Sequence, residues 1–227
     1  MHTERSLTAL ERRLEARISR LRFLARGCGV PYGSNYVTET GRMYSYIAIE
    51  SMNCWTLFAR NFIISSALGA ATRNNGRVTS SVNRQSTVQD VVIDAAIVIR
   101  PWLGRAGRPT QINPREEPTW HDPAVLVRLC TSLHLSNLNT VSQALALNAT
   151  FTRDLPTVRN YFAHKNADTA EKVRRIGRQY GISPYAGNSL RKKTPIAVIS
   201  SPGIGRPQSI LRDWLDEIET IANLLVE

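Results

Sequence analysis

Arg159, Asn160 and His164 stand in one short stretch, LPTVRNYFAHKN (155–166), and their side chains suit work on a phosphodiester. A histidine titrating near neutrality can take a proton from an RNA 2′-hydroxyl or return one to a leaving oxygen. An arginine can brace a phosphate with its planar fork, and an asparagine can orient either group. The stretch reads as helix, which stacks Asn160 and His164 on one face at i and i+4. Arg159 lies about 100° around from Asn160 and can lean over the same edge. Tyr161, Phe162 and Ala163 are expected on the packed side, and Lys165 adds charge just beyond. This chemistry needs no metal. A lone histidine cannot easily serve as both acid and base, so two copies facing one cleft are expected.

The arginine-to-histidine spacing selects nothing by itself, because the chain repeats it: Arg115 to His121, Arg128 to His134, and Arg159 to His164. The first interval contains Pro118 and lies in an irregular segment. In the second, apolar Leu129 follows the arginine and no polar helper is near. Only the third sets an asparagine one helical turn before the histidine.

Other chemistries find no support. Cys28, Cys54 and Cys130 are far apart and odd in number, which argues against a disulfide framework and a clustered zinc site. There is no H-E-x-x-H, C-x-x-C, Walker loop or G-x-S-x-G, and GIGRP (203–207) reads as a turn and not as a phosphate-binding fingerprint. No cofactor and no metal are therefore expected. The chain carries 29 Lys and Arg against 18 Asp and Glu, a net charge of +11, which suits a polyanionic partner. With 42% hydrophobic residues it can build a packed core. No apolar run is long enough to span a bilayer, and the amino-terminal residues mix acids and bases without the apolar stretch of a secretory signal. A reducing cytoplasm is the expected compartment.

The elements that must position the triad read as helices. Leu7, Leu10, Leu14, Ile18, Leu21 and Leu24 recur at steps of three and four, with Thr3 or Ser6 as caps and Gly27, Gly29, Pro31 and Gly33 as stops. A long central helix is expected over about 38–71, with Glu50, Asn53, Arg60 and Asn61 as its polar exceptions. Further helices are expected over 87–100, 122–135, 136–148 and 167–181, and PIAVIS (195–200) reads as a short strand. The last helix runs through Ile210, Leu211, Trp214, Leu215, Ile218, Ile221 and Leu225, with Ser209 or Gln208 as cap. The whole reads as a single all-α domain over 1–227 with irregular insertions near 72–86, 100–121 and 181–207. The segment from 100 to 123 is long enough to suggest a functional or mobile loop.

RNYFAH (159–164) resembles the arginine–histidine motif of HEPN domains, in which a polar residue commonly follows the arginine. MNCWTLFARNF (52–62) is similar to an early helix of such domains. The resemblance is specific over about 150–166 and extends to 36–70. It implies an antiparallel helical bundle, here with two long basic loop insertions. It also implies a metal-independent endoribonuclease, a homodimer with a composite cleft, and a role as a toxin or antiviral effector with an antitoxin or sensor protein as a further partner. By resemblance, Arg159 polarises the phosphate, His164 is the acid/base group and Asn160 orients them, while Tyr161 and Lys165 contact substrate. One toxin group of the family carries a tyrosine two places after the histidine, where a partner antitoxin modifies it. Here Lys165 and Asn166 follow, so that regulation is not expected. Basic loops (Arg73, Arg77 and Arg84; Arg105 and Arg108; Arg191, Lys192 and Lys193) would draw RNA in, and Trp102 or Trp120 could stack on a base. The rival reading is a non-catalytic HEPN-like module that binds RNA or protein. A DNA-binding reading of TAEKVRRIGRQYGIS lacks the preceding helix and turn.

Overall fold

The computed structural model describes residues 5–27, 38–83, 85–147, 149–185 and 193–227. Thr3, Cys28, Gly29, Pro31, Gly33, Arg84, Arg191 and Lys192, which the sequence reading used, lie outside the described residues. The described chain is all-helical: α1 (Leu7–Gly27), α2 (Thr38–Ala67), α3 (Val88–Ile99), α4 (Pro123–Ser132), α5 (Leu138–Leu145), α6 (Thr150–His164), α7 (Ala167–Gln179), α8 (Pro195–Ser200) and α9 (Ile210–Leu225). Short 3-10 turns occupy Pro101–Gly104 and Pro114–Glu116. Among the described residues, extended pairing is limited to isolated bridges such as Ser6 with Ala71.

Helix starts follow the local chemistry. Thr87 and Asp90 form a reciprocal capping box at α3. Asp122 accepts from the Ala124 amide with Pro123 at the first helical position of α4. Asn166 caps α7 through the Thr169 amide. PIAVIS is a helix, not a strand. Thr194 accepts from the Ala197 amide, and Pro195 starts the helix with φ already set. Those two start signals outweigh the β-branched residues that suggested a strand.

The chain divides into two compact units. The first comprises Met1–Glu15, Trp55–Asn148 and Thr220–Glu227. Its core includes Leu7, Leu10, Trp55, Phe58, Phe62, Val91, Val92, Leu126 and Leu129, all buried. Glu11 is buried and held by Arg73. The segment near 72–86 is tied down by backbone bonds, from Ala71 to Arg5 and from Ser81 to Leu133.

The segment from 100 to 121, read from the sequence as a functional or mobile loop, is likewise tied to the helices of its unit. Arg60 of α2 grips Glu117 with two hydrogen bonds of 2.8 and 3.1 Å. The Trp120 indole donates to the same carboxylate at 2.8 Å, and Arg60 also lies over the Trp120 ring. Arg100 donates to the carbonyls of Glu116 and Glu117, and the Trp55 indole donates to the His121 carbonyl. Trp120 is 4% exposed and anchors the loop, whereas Trp102 is 58% exposed, so of the two only Trp102 could stack on a base.

The second unit comprises Ala16–Cys54 and Ala149–Glu219. Within it, α6 and α7 are joined by Lys165 and Asn166 alone. The Tyr180 hydroxyl, at the end of α7, reaches Thr150 and Asp154 near the start of α6, so the two helices run antiparallel. Trp214 of α9 is fully buried and donates to the Tyr180 hydroxyl at 3.0 Å. Arg22 of α1 holds Asp216 and Glu219 of α9. Gly177 lets α7 and α8 touch: a Cβ there would stand 2.6 Å from the Val198 Cγ1.

Two consequences can be measured. Gly177→Ala would raise intrinsic helix propensity by about 1 kcal/mol, yet the clash with short, branched Val198 should dominate. The variant should lose about 1–3 kcal/mol in denaturant unfolding; a gain would show that the helices are not in contact at that point. In the first unit, burial pushes the Glu117 carboxyl up, but bonds from Arg60 and Trp120 and the Arg60 charge outweigh it and hold it below its ordinary value. A lowered folded pKa contributes stability above the unfolded value of about 4.3, and that contribution is lost as pH falls through the folded value. Acid titration of stability should therefore be shallower in Glu117→Gln than in the wild type over that window.

Candidate active site

Helix α6 begins on a cap supplied from elsewhere in the second unit. Ala149 has no capping side chain. Instead Glu217 of α9 accepts from the Phe151 amide at 2.9 Å and from the Thr150 hydroxyl. A carboxylate at a helix start also meets the positive end of its dipole. Pro156 sits inside the helix, where it leaves the Thr152 carbonyl without its intrahelical amide. The helix continues to His164 and stops at Lys165, which takes a left-handed conformation at φ 45° and donates to the Tyr161 carbonyl. No glycine marks this stop.

Asp154 is 2% exposed. Arg153 forks onto its two oxygens at 2.7 and 2.9 Å, and the Tyr180 hydroxyl lies 3.1 Å away. The Asp154 bond, the largest influence, pushes the Arg153 guanidinium pKa up. Burial pushes the Tyr180 hydroxyl up to about 12. Phe151, Leu155, Val158 and Phe162 complete the buried side of α6. These contacts fix the rotation of the helix, and with it the residues that face solvent.

Arg153 is exposed near the start of α6, and towards its end the exposed residues are Arg159, Asn160, Ala163, His164 and Lys165, with Tyr161 half-buried and edge-on to Phe162 at 5.1 Å. Ala163 is thus on the open side and not on the packed side. Asn160 and His164 share one face, as the sequence spacing requires. Arg159 does not join them closely. Thr150 and Asp154, which meet Tyr180, mark the shoulder of α6 turned towards α7, and Tyr161 continues it seven residues after Asp154. His164 lies beside that shoulder. Arg159 is on the opposite one, about 140° around the helix from His164. Among the described residues, Arg159, Asn160 and His164 make no side-chain hydrogen bond or ion pair.

In the other arginine–histidine intervals the described bonds involve Arg128 and the backbone of His121, while Arg115 and His134 are exposed. The His121 carbonyl accepts from Trp55, and Arg128 donates to the Val98 carbonyl at 2.7 Å. His134 has a left-handed backbone just past α4. Several expected RNA-attracting cations are also engaged: Arg73 with Glu11, and Arg108 with Asp90 and Asp94. Arg77 and Arg105 are exposed. Along α2, Asn53 donates to Glu50, and Arg60 is held by Glu117. Among the described residues, no group of three or more His, Cys, Asp and Glu could hold a metal ion, and no helix is long and apolar enough to cross a membrane.

Because Arg159, Asn160 and His164 are exposed and without side-chain partners among the described residues, single alanine substitutions at them should change unfolding free energy by less than about 0.5 kcal/mol. Thermal melts of the three variants check this. A larger loss at any of them would mean that the residue supports the fold.

No family model, curated protein or solved structure matches this chain.

Proposed function

We propose that the chain is a metal-independent, HEPN-like endoribonuclease that works as a homodimer, with RNA as its substrate. The observation that carries this reading is the exposed Asn160–His164 pair at the open end of α6, uncommitted to any side chain of the described fold. Arg159 on the same helix, unpaired among the described residues, and a net charge of +11 support it. His164 removes the proton from a 2′-hydroxyl, whose oxygen attacks phosphorus. The bond to the 5′-oxygen breaks, and that oxygen takes a proton to leave as a hydroxyl. The products are a 2′,3′-cyclic phosphate and a 5′-hydroxyl end. One His164 cannot easily serve both proton transfers at once, and Arg159 is turned away from its own His164. Two copies facing each other would supply a second histidine, with Arg159 of one copy set against the other. Tyr161 and Lys165 flank the bound strand. A toxin or antiviral effector role, with an antitoxin or sensor as partner, follows from the family resemblance.

One observation favours the rival, a non-catalytic RNA-binding module. No side chain among the described residues bonds the His164 ring, whereas acid–base histidines are commonly held in one tautomer by a neighbour. The two readings separate in one experiment. Wild-type protein in EDTA, given a mixed single-stranded RNA pool, should yield fragments ending in cyclic phosphate. His164→Ala should reduce the rate by about 100-fold or more, with circular dichroism unchanged. Binding without cleavage by the wild type establishes the module instead. Cleavage that survives His164→Ala removes the histidine from the mechanism.

A further inference from the structure

We infer that Lys172 and Arg175 of α7 form, with Asn160 and His164, one exposed strip that holds the phosphate backbone of single-stranded RNA. The inference rests on the ribonuclease reading for its choice of polyanion and adds the residues that would hold the strand.

The register of the α6–α7 hairpin carries the argument. Arg153 of α6 donates to the Gln179 side chain of α7 at 3.1 Å, so these two residues stand level on the exposed side. Both helices rise by about 1.5 Å per residue, so equal steps from that bond towards the connection keep residues level. Four steps bring Thr157 level with Arg175. Seven bring Asn160 level with Lys172, and eleven bring His164 level with Asp168. Steps of four, seven and eleven return to nearly the same helix face. Arg153, Asn160 and His164 therefore share a face of α6, and Gln179, Arg175, Lys172 and Asp168 share the adjoining face of α7. All seven residues are exposed, and the two-residue connection closes the far end of the strip.

The cations of α7 divide by flank. Arg174 lies about 160° around the helix from Lys172, where it meets Glu171 and bonds the Lys193 carbonyl, while Arg178 stands between the two sides and also meets Glu171. Among the described residues Lys172 meets only Asp168, in a pair whose side chains are 53% and 73% exposed. Such a pair contributes little and can exchange Asp168 for a phosphate. Arg175 meets no carboxylate among the described residues. The strip thus offers one uncommitted guanidinium and one exchangeable ammonium beside the Asn160–His164 pair. Arg159, on the far shoulder of α6, cannot supply this contact as directly. A polyanion in extended form complements the charge, and single-stranded RNA places successive phosphates along such a track.

The test uses the full chain carrying His164→Ala, which removes cleavage, and a labelled single-stranded RNA of mixed sequence. Anisotropy at several salt concentrations gives the slope of log affinity against log salt. Lys172→Ala and Arg175→Ala should each reduce the magnitude of that slope by about 0.7 and weaken binding. Arg174→Ala removes the same charge about 160° around the same helix from Lys172 and should leave the slope unchanged. Equal slope changes in all three variants would show a general charge effect and overturn the strip. So would unchanged slopes in Lys172→Ala and Arg175→Ala, or an absence of RNA binding by the parent. Flank-dependent slopes in a chain whose wild type fails to cleave would keep the strip and overturn the ribonuclease reading.

Discussion

Asp154 brings a carboxyl group into the interior of the second unit, where it costs several kcal/mol unless its oxygens find donors. The Arg153 fork and the Tyr180 hydroxyl provide them, and Tyr180 in turn accepts from Trp214. One buried acid therefore ties α6 to α7 and to α9. Its demand for donors fixes the rotation of α6 about its own axis. That rotation decides that Phe151, Leu155, Val158 and Phe162 face inward and that Asn160 and His164 face out. The candidate chemistry is set by a group that takes no part in it. Removing Tyr180 or Trp214 would leave polar atoms unpaired in the interior, a greater loss than the contact itself.

Much of this was legible in the residues, and what was not has a common cause. The amphipathic stripes of α1 and α9 and the Asp-Pro start of α4 are local signals, and all three helices form where those signals lie. The stacking of Asn160 on His164 is local too, since helical spacing alone requires it. The angle between Arg159 and His164 follows from the same spacing, but which of them lies nearer α7 was not legible. It depends on which side of α6 packs on α7, and the bonds that decide this link Thr150 and Asp154 to Tyr180, up to 30 residues apart. The clamp on 100–121 was hidden for the same reason: Arg60 and Glu117 are 57 residues apart, and each alone reads as an ordinary surface charge. Trp102 and Trp120 could not be told apart by type, only by which one met that clamp. PIAVIS misled differently. Its composition favours a strand, but Thr194 and Pro195 just ahead of it supply a helix start, and start signals prevailed over propensity.

The basic character of the chain also reads differently once partners are known. A count of arginines suggests a diffuse attraction for polyanions. In the fold many of those arginines are internal fasteners: Arg22, Arg60, Arg73, Arg153, Arg174 and Arg206 each hold a carboxylate. Pairing leaves the net charge of +11 unchanged, but it reduces the number of cations free to meet a ligand and places the free ones unevenly. On α7, among the described residues, Arg175 meets no carboxylate while Arg174 and Arg178 share Glu171.

The Glu217 cap on α6 bears on the order in which the molecule assembles. The amide it holds lies 66 residues earlier in the chain. Closing so long a loop costs entropy before any contact offsets it. Nascent α6 has no capping side chain of its own, and a helix of that length is marginal in isolation. Its first turn is therefore expected to fray until α9 has been synthesised and docked. The face bearing Asn160 and His164 would then be among the last parts of the second unit to reach its final geometry, and a chain cut short before α9 would carry these residues without the frame that orients them.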